Sequence, residues 1–152
     1  GKVGWISDEN GYRYSETHPN GNKWSDIPEF LYKIIEIYFK LTNLKYNVKN
    51  YDSCLITLYK NGSSLGMHYD KDEKDLNFPI TSISIGRPCE FNIELSNGLQ
   101  KVNLFNGDII IISGKARNAK HGVSKLLTDI QRLGNPLKDL DSRLNLTFRK
   151  AL

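Results

Sequence analysis

One short segment of the sequence has residue types and spacing that suit metal binding. His68 and Asp70 lie two positions apart in residues 67–70. In an extended segment, side chains two positions apart point to the same side, so this imidazole and this carboxylate can occupy adjacent positions on one metal ion. A second histidine would complete a two-histidine, one-carboxylate set, which binds Fe(II) and leaves coordination positions open. His121, just beyond an apolar segment, is the candidate for that second histidine.

Each part of this pattern also has an ordinary structural explanation. The chain contains three histidines, so a histidine two residues before an aspartate can arise by chance. Histidines in turns are commonly structural, and His18, in the polar turn Thr17-His18-Pro19, is not expected to bind a metal. The pattern at His68 and Asp70 alone therefore leaves a metal site and a structural role both open.

Residues 143–149 alternate completely between polar and apolar side chains. The polar positions are Arg143, Asn145, Thr147 and Arg149, and the apolar positions are Leu144, Leu146 and Phe148. On a sheet that faces water this alternation is ordinary, and the residues alone favour that interpretation. Two arginines and an amide on one face would also bind a dicarboxylate, because guanidinium groups pair with carboxylates in a bidentate manner. If this face lines a barrel, the site lies about one side-chain length from the metal.

One helix and many strands are predicted to position these residues. The helix is expected to be capped by Ser25 or Asp26, to carry Pro28 in its first turn and to run to about Asn43. Its apolar residues recur at spacings of three and four, at Ile27, Phe30, Leu31, Ile34, Ile35, Tyr38 and Leu41. Strands are predicted at 54–60, 80–85, 90–95, 100–105, 109–113 and 142–150. Many short strands with one helix predict an antiparallel sandwich or barrel with helical support.

The length and composition fit one globular domain over residues 1–152. Hydrophobic residues make up 39% of the chain and charged residues 25%, which excludes a disordered chain. No apolar segment approaches the ~20 residues of a membrane span, and the first 20 residues do not resemble a signal peptide. The two cysteines suit a reducing compartment, so we expect a cytoplasmic protein, and a monomer is the default expectation for a chain of this size. The net charge of +4 permits a nucleic-acid partner without requiring one.

Several stretches together resemble the AlkB family of alkylated-nucleobase demethylases. They are HYDKDE at 68–73, PITSISIG at 79–86, HG at 121–122 and RLNLTFR at 143–149, with GW at 4–5, GYRYS at 11–15 and CLI at 54–56. The combined order and spacing cover nearly the whole chain. The resemblance implies an α+β, mainly β fold with a double-stranded β-helix (jelly-roll) core, one flanking helix and a nucleotide-recognition lid at residues 1–24.

The resemblance also implies a cofactor set and the residues that bind it. Fe(II) would be bound by His68, Asp70 and His121, with O2 and 2-oxoglutarate as cosubstrates. The 2-oxoglutarate would be bound by Tyr59, Arg143, Asn145 and Arg149, with Arg143 at the distal carboxylate and Arg149 at the end nearer the iron. Thr57 stands where the bacterial members carry an asparagine. Because its hydroxyl is shorter and lacks the NH2 group, one hydrogen bond to the cosubstrate is expected to be lost or made through water.

Further matches imply how a base would be recognised. Trp5 and Tyr12 correspond to the lid, where an aromatic ring stacks on a flipped base and contributes ~1–3 kcal/mol. His121 would form the opposite wall. Asp72 matches an acidic residue that meets the exocyclic amine of methylated adenine or cytosine, and its carboxylate would favour the cationic base. Glu73, the next residue, is expected to be solvated.

The function implied is oxidative demethylation of 1-methyladenine and 3-methylcytosine in single-stranded DNA, with RNA as a further substrate. The products are formaldehyde, succinate, CO2 and the restored base, as in direct-reversal repair. A base inside a duplex cannot reach such a pocket, so it must be extruded or already single-stranded. The alternatives are an RNA-directed demethylase, an oxygenase acting on protein or small molecules, and a non-catalytic jelly-roll binding module.

The N-terminus carries two further expectations. The chain begins with Gly1 rather than methionine, so we expect the natural N-terminus to extend further. The bacterial family members carry additional residues before the Gly4-Trp5 region. The resemblance therefore implies either a trimmed N-terminus or a compact homologue with a shortened lid.

Overall fold

The computed structural model describes residues 1–128 and 141–152. The described residues form one α-helix, α1 (Glu29–Leu41), and ten strands. The strands are β1 (Gly4–Asp8), β2 (Gly11–Ser15), β3 (Ser53–Tyr59), β4 (Leu65–His68), β5 (Ile80–Gly86), β6 (Cys89–Leu95), β7 (Gly98–Leu104), β8 (Ile109–Ile112), β9 (His121–Leu126) and β10 (Arg143–Arg149). Each predicted strand is present, with boundaries within two residues of the prediction. In these residues no helix is long and apolar enough to cross a membrane.

Two four-stranded antiparallel sheets build the core. Their strand orders are β3-β10-β5-β8 and β4-β9-β6-β7. Neighbours in each sheet are mostly distant in sequence, so the chain passes repeatedly from one sheet to the other. This topology is a jelly roll, and it confirms the predicted mainly β fold, with one flanking helix in the part of the chain that the structure describes.

The sheet that contains β10 packs against α1 through its outer face. This first core cluster consists of Ile27, Ile35, Phe39, Val48, Tyr51, Phe78, Ile83, Leu146 and Phe148. The predicted helical stripe is wrong in part, since Phe30 and Leu41 are exposed. The buried residues of α1 are Ile35 and Phe39, of which the predicted stripe included only Ile35, while Leu31 and Ile34 pack partly buried against the same cluster.

The helix also begins later than predicted. Pro28 occupies the position before the first helical residue, and no described side chain caps this end. The predicted cap at Ser25 or Asp26 is therefore wrong. Proline suits this position because its fixed φ is compatible with the start of a helix. The first N–H groups of a helix have no intrahelical acceptor, so the missing N–H of proline loses no hydrogen bond there.

A second core cluster fills the space between the two sheets. Its members are Tyr59, Ile80, Cys89, Phe91, Ile93, Leu104, Ile112 and Val123. The side chains that point inward from β3, β5, β6, β7, β8 and β9 thus meet in the middle of the roll. One end of this interior remains open as a cavity.

Strands β1 and β2 form a hairpin over that open end, which we call the N-terminal hairpin (residues 4–15). The two strands pair in register from Gly4 opposite Ser15 to Asp8 opposite Gly11. The Trp24 ring lies directly against Gly4, and its Nε1 donates a hydrogen bond of 2.8 Å to the Ser15 carbonyl. Trp24 therefore fixes the base of the hairpin and leaves its turn projecting.

Candidate metal and cosubstrate site

A cavity of about 460 Å³ lies between the two sheets and beneath the N-terminal hairpin. Its lining contains every residue for which the sequence predicts a role. These residues are Trp5, Tyr12, Thr57, Tyr59, His68, Asp70, Asp72, His121, Arg143, Asn145 and Arg149. The fold thus brings residues from both ends of the chain to one place.

His68 and His121 meet because β4 and β9 pair antiparallel with these two residues directly opposite each other. Their ring centroids are 4.7 Å apart. Asp70 follows β4 by two residues, and its carboxylate oxygens lie 3.6 Å from His68 Nε2 and 3.7 Å from His121 Nε2. One ligand atom from each of the three lies within 4.8 Å of the others, so the three side chains could hold a single metal ion.

Backbone carbonyl groups orient both imidazoles. His68 Nδ1 lies 2.9 Å from the Gly66 oxygen, and His121 Nδ1 lies 3.0 Å from the Ala119 oxygen. Since a carbonyl only accepts, each Nδ1 donates the hydrogen bond, and in a neutral imidazole this leaves Nε2 as the atom that can bind a metal. Burial lowers the pKa of His121, which favours the neutral form that binds a metal.

Asp70 is held ionised by a neighbouring arginine. Burial acts to raise the pKa of Asp70, but neighbouring positive charge, above all that of Arg149, outweighs it and lowers the pKa below the ordinary value. Arg149 donates from Nε and Nη2 to Asp70 Oδ2 at 3.0 and 2.8 Å. Two oriented imidazoles and one ionised carboxylate form the donor set that suits Fe(II), so the residues present fit this metal.

Arg143 marks an anion-binding position in the same cavity. It is only 1% exposed, and its Nε and Nη1 have no hydrogen-bond partner in the described part of the chain. Burial of a cation whose donors lack partners costs free energy, so a bound anion would supply the missing hydrogen-bond acceptors and the opposite charge. Tyr59 faces Arg143 across β3 and β10. These groups fit a carboxylate of 2-oxoglutarate.

The polar face of β10 lines the cavity rather than facing bulk water. Arg143, Asn145 and Arg149 are all buried, and Asn145 hydrogen-bonds with the Ser82 hydroxyl at 2.7 Å. Thr57 lies opposite Asn145 in the register of β3 and β10. The interpretation that the residues alone favoured, a water-exposed polar face, is therefore wrong.

Glu73 is a site residue that sequence reasoning missed. It was expected to be solvated, but it is only 6% exposed, and it also lines the cavity. Its carboxylate lies between the guanidinium groups of Arg117 and Arg149, at 3.4 and 3.3 Å, and these two charges compensate for its burial. The surrounding segment 70–75 is entirely charged, which is typical of an exposed loop, so the local sequence gives no signal of burial.

Aromatic rings of the N-terminal hairpin close the top of the cavity. Trp5 and Tyr12 are stacked, with ring centroids 5.9 Å apart and planes within 12°. Tyr14 meets Trp5 edge to face at 4.8 Å. Tyr12 is 72% exposed and Asp72 lies exposed at the cavity mouth, so both can be reached from outside.

Known proteins share this arrangement over nearly the whole chain. The family model of the 2OG-Fe(II) oxygenase superfamily matches residues 1–149. The alpha-ketoglutarate-dependent dioxygenase AlkB homolog of Caulobacter vibrioides is 37% identical, over 99% of this chain and 66% of its own length. The alpha-ketoglutarate-dependent dioxygenase AlkB of Escherichia coli is 34% identical, over 99% of this chain and 68% of its own. The chain thus spans about two thirds of the length of these curated relatives.

A solved structure and more distant relatives extend the comparison. The structure of OsALKBH1 superposes with a TM-score of 0.74 and 32% identity, covering 90% of this chain and 72% of that one. A tRNA demethylase of Schizosaccharomyces pombe is 27% identical over 83% of this chain and 43% of its own length. A DNA N(6)-methyladenine demethylase of Arabidopsis thaliana is 34% identical over 64% of this chain and 24% of its own length. The chain therefore belongs to the 2OG-Fe(II) oxygenase superfamily and, within it, to the AlkB-like dioxygenases, whose cofactors are those that the sequence predicted.

Proposed function

We propose that this protein demethylates N-alkylated bases, namely 1-methyladenine and 3-methylcytosine in single-stranded DNA or RNA, and that it acts as a monomer. The observation that carries the proposal is the shared cavity. A candidate metal-binding triad, a buried arginine with two donors that lack a partner among the described residues, and a pair of stacked aromatic rings line the same space. Relatives named for demethylating tRNA and DNA support the class of substrate.

Each group of residues has a role that follows from its position in the cavity. His68, Asp70 and His121 hold the metal, while Arg143, supported by Tyr59, holds the distal carboxylate of 2-oxoglutarate. Asn145 and Arg149 complete the cosubstrate site on the same face of β10, with Thr57 opposite. When bound, Fe(II) and 2-oxoglutarate supply oxidation of the N-methyl carbon by O2 with release of succinate and CO2, and the hydroxymethyl group then leaves as formaldehyde.

The cavity mouth provides recognition of the base. Trp5 and Tyr12 offer flat faces on which a base can stack, a contact that needs no particular sequence. The Asp72 carboxylate accepts a hydrogen bond from the exocyclic amine and favours a cationic methylated base over its neutral parent. Because a cavity of about 460 Å³ admits one base and no duplex, the substrate enters single-stranded or extruded.

The test is turnover of a single-stranded oligonucleotide that carries one 3-methylcytosine, offered as DNA and as RNA with Fe(II), ascorbate and 2-oxoglutarate. We expect equimolar formaldehyde and succinate with the methylated strand, neither product above background with Asp70→Ala, and little formaldehyde with the unmethylated strand. The ratio of the DNA and RNA rates assigns the preferred nucleic acid. Succinate formation without dependence on the methyl group would overturn the substrate assignment, and absence of both products with correct metal binding would favour a binding module.

A further inference from the structure

We propose that Glu73 is a positioning residue that couples the N-terminal hairpin to the metal ligand Asp70. This inference rests on the proposed function. The connection runs from Tyr14 on β2, through the Glu73 carboxylate, to Arg149 on β10 and from there to Asp70. Each step is a direct polar contact between buried or half-buried side chains.

The hairpin end of the connection is a single hydrogen bond. Tyr14 Oη donates to Glu73 Oε1 at 2.7 Å, and the Tyr14 ring packs edge to face against Trp5. The ring that would stack on the base is therefore in contact with the tyrosine that binds Glu73. A displacement of the hairpin must stretch or break this hydrogen bond.

The core end of the connection reaches the metal site through Arg149. The same Glu73 oxygen lies 3.3 Å from Arg149 Nε, while Arg149 Nη2 donates to Asp70 Oδ2 at 2.8 Å. Arg149 is thus shared between the two carboxylates. Any change in its pairing with Glu73 alters how strongly it binds the oxygen of Asp70 that lies nearest His121.

Arg117 holds Glu73 in place from the opposite side. It is 2% exposed and lies 3.4 Å from Glu73 Oε2. Its other donors bind the carbonyl oxygens of Asp70 at 3.2 Å and of Phe78 at 2.7 Å. Because Arg117 binds backbone at two points of the segment after β4, the Glu73 carboxylate is fixed relative to Asp70 and cannot simply follow the hairpin.

The Glu73 carboxylate contributes to the charge balance of the group. Arg117 and Arg149 face Glu73 and Asp70, two cations against two anions. When glutamine replaces Glu73, Arg149 loses one of its two carboxylate partners and pairs with Asp70 more closely. A carboxylate held more tightly by a cation is a weaker metal ligand, so metal affinity falls. Hairpin position and metal-ligand strength are therefore linked through one side chain.

Two variants separate the parts of this connection. Tyr14→Phe removes the hydroxyl and keeps the ring against Trp5, whereas Glu73→Gln removes the charge and keeps an acceptor oxygen. The matched control is Tyr32→Phe on α1, which deletes a hydroxyl that donates to the Tyr51 carbonyl at 2.9 Å, far from the cavity. All three are compared with the wild-type full chain for Tm, Mn(II) affinity, KM for the methylated strand, and the ratio of formaldehyde to succinate with ascorbate present.

We expect Tyr14→Phe to raise KM about five-fold, as for one lost hydrogen bond, and to lower the product ratio below one. Glu73→Gln should weaken Mn(II) binding about five-fold or more. The double variant should show a smaller effect on KM than the sum of the single effects. Tyr32→Phe should change Tm alone.

Three results would overturn the coupling: variants that change only Tm, additive effects on KM, or Mn(II) affinity in Glu73→Gln equal to wild type. Mn(II) affinity needs no turnover. A protein without demethylase activity but with weaker Mn(II) binding in Glu73→Gln would therefore refute the proposed function and leave the link from Glu73 to Asp70 intact. If Glu73→Gln does not fold, the ratio of formaldehyde to succinate in Tyr14→Phe tests the inference. A ratio below one supports it, and the wild-type ratio overturns it.

Discussion

Tyr59 and Arg143 face each other across β3 and β10, with the guanidinium carbon 6.0 Å from the centre of the tyrosine ring. The ring covers one side of the guanidinium group, and the sheet buries the rest, so the unpaired Nε and Nη1 donors have no access to bulk water. A carboxylate that enters the cavity meets a cation already desolvated and oriented. Preorganisation of this kind strengthens binding, because the cost of ordering the site is met during folding.

Replacing Arg143 with glutamine should abolish this anion site. We expect the KM for 2-oxoglutarate to rise at least ten-fold, because a desolvated, charge-assisted pair is lost. Thermal denaturation with Mn(II) in place of Fe(II) measures binding without turnover. The cosubstrate should raise the Tm of the wild type and leave that of Arg143→Gln unchanged. An equal rise in both proteins would place the anion elsewhere.

Gly122 should be essential for the position of His121. A Cβ built on Gly122 would lie 2.6 Å from the Leu65 carbonyl oxygen and 2.9 Å from that of Gly66, both backbone atoms of β4. Gly122→Ala must therefore push β9 away from β4 and separate His121 from His68. We expect Mn(II) affinity, measured by calorimetry, to fall about ten-fold, as when a ligand's supporting geometry is lost.

Gly66→Ala is the matched control for this substitution. Gly66 lies on the facing strand, yet a Cβ there would meet no atom within 4 Å, and its carbonyl would remain available to His68. This variant should bind Mn(II) as the wild type does. If both alanine variants bind equally well, the close approach at Gly122 does not position the metal ligand.

Cys54 gives the protein a predictable loss of stability at alkaline pH. Burial raises the pKa of this thiol to about 11 from the ordinary value of 9.0. The folded state therefore keeps the proton after the unfolded chain has begun to lose it. This contribution to the free energy of unfolding is fully present below pH ~9 and is lost as pH rises toward 11.

Cys54→Ser isolates this effect, since serine does not ionise in this range. Urea denaturation at pH 8 and pH 10.5 should show a larger fall in the free energy of unfolding for the wild type than for the variant. Burial also raises the pKa of Cys89, which is present in both proteins and cancels in the comparison. Equal falls would show that the Cys54 thiol titrates as if exposed.

The local sequence predicts where the strands lie more accurately than it predicts what each strand face contacts. The alternation in 143–149 predicts β10 within a residue, but the same alternation suits a face toward water or toward a cavity, and only the other sheet decides between them. Strand β4 has only four residues, and β4 and β9 carry Gly66 and Gly122, so their pattern is weak, although their pairing is what brings His68 to His121. Such pairing depends on residues far apart in sequence.

The burial of Glu73 is a second feature that the local sequence could not predict, because it depends on charges from distant segments. Its neighbours in sequence are charged and exposed, and the cations that stabilise it, Arg117 and Arg149, lie 44 and 76 positions further along the chain by residue number. No local pattern can predict a charge balance assembled from three separate segments. The candidate metal ligands were accessible to prediction because their chemistry is restrictive, with few histidines available and one spacing that fits.

Asp72 should select for positively charged lesions. Its carboxylate lines the cavity mouth and is exposed, so it can meet a base that stacks against the N-terminal hairpin. A charge-assisted hydrogen bond to a cationic base exceeds a neutral one by about 1 kcal/mol or more. We therefore expect Asp72→Asn to lower kcat/KM for 3-methylcytosine about ten-fold and to change that for neutral 3-methylthymine by less than two-fold.

Asp75→Asn is the matched control, because it removes the same charge from the same segment at a residue that pairs with Lys150 at 2.7 Å and does not line the cavity. This variant should have the wild-type kcat/KM for both lesions. That result would distinguish a local contact made by Asp72 from an effect of net charge. Equal losses on 3-methylcytosine in the two variants would mean that long-range attraction, rather than the carboxylate at the mouth, selects the cation. Salt distinguishes these cases further, since screening weakens the long-range attraction and leaves the direct contact largely intact.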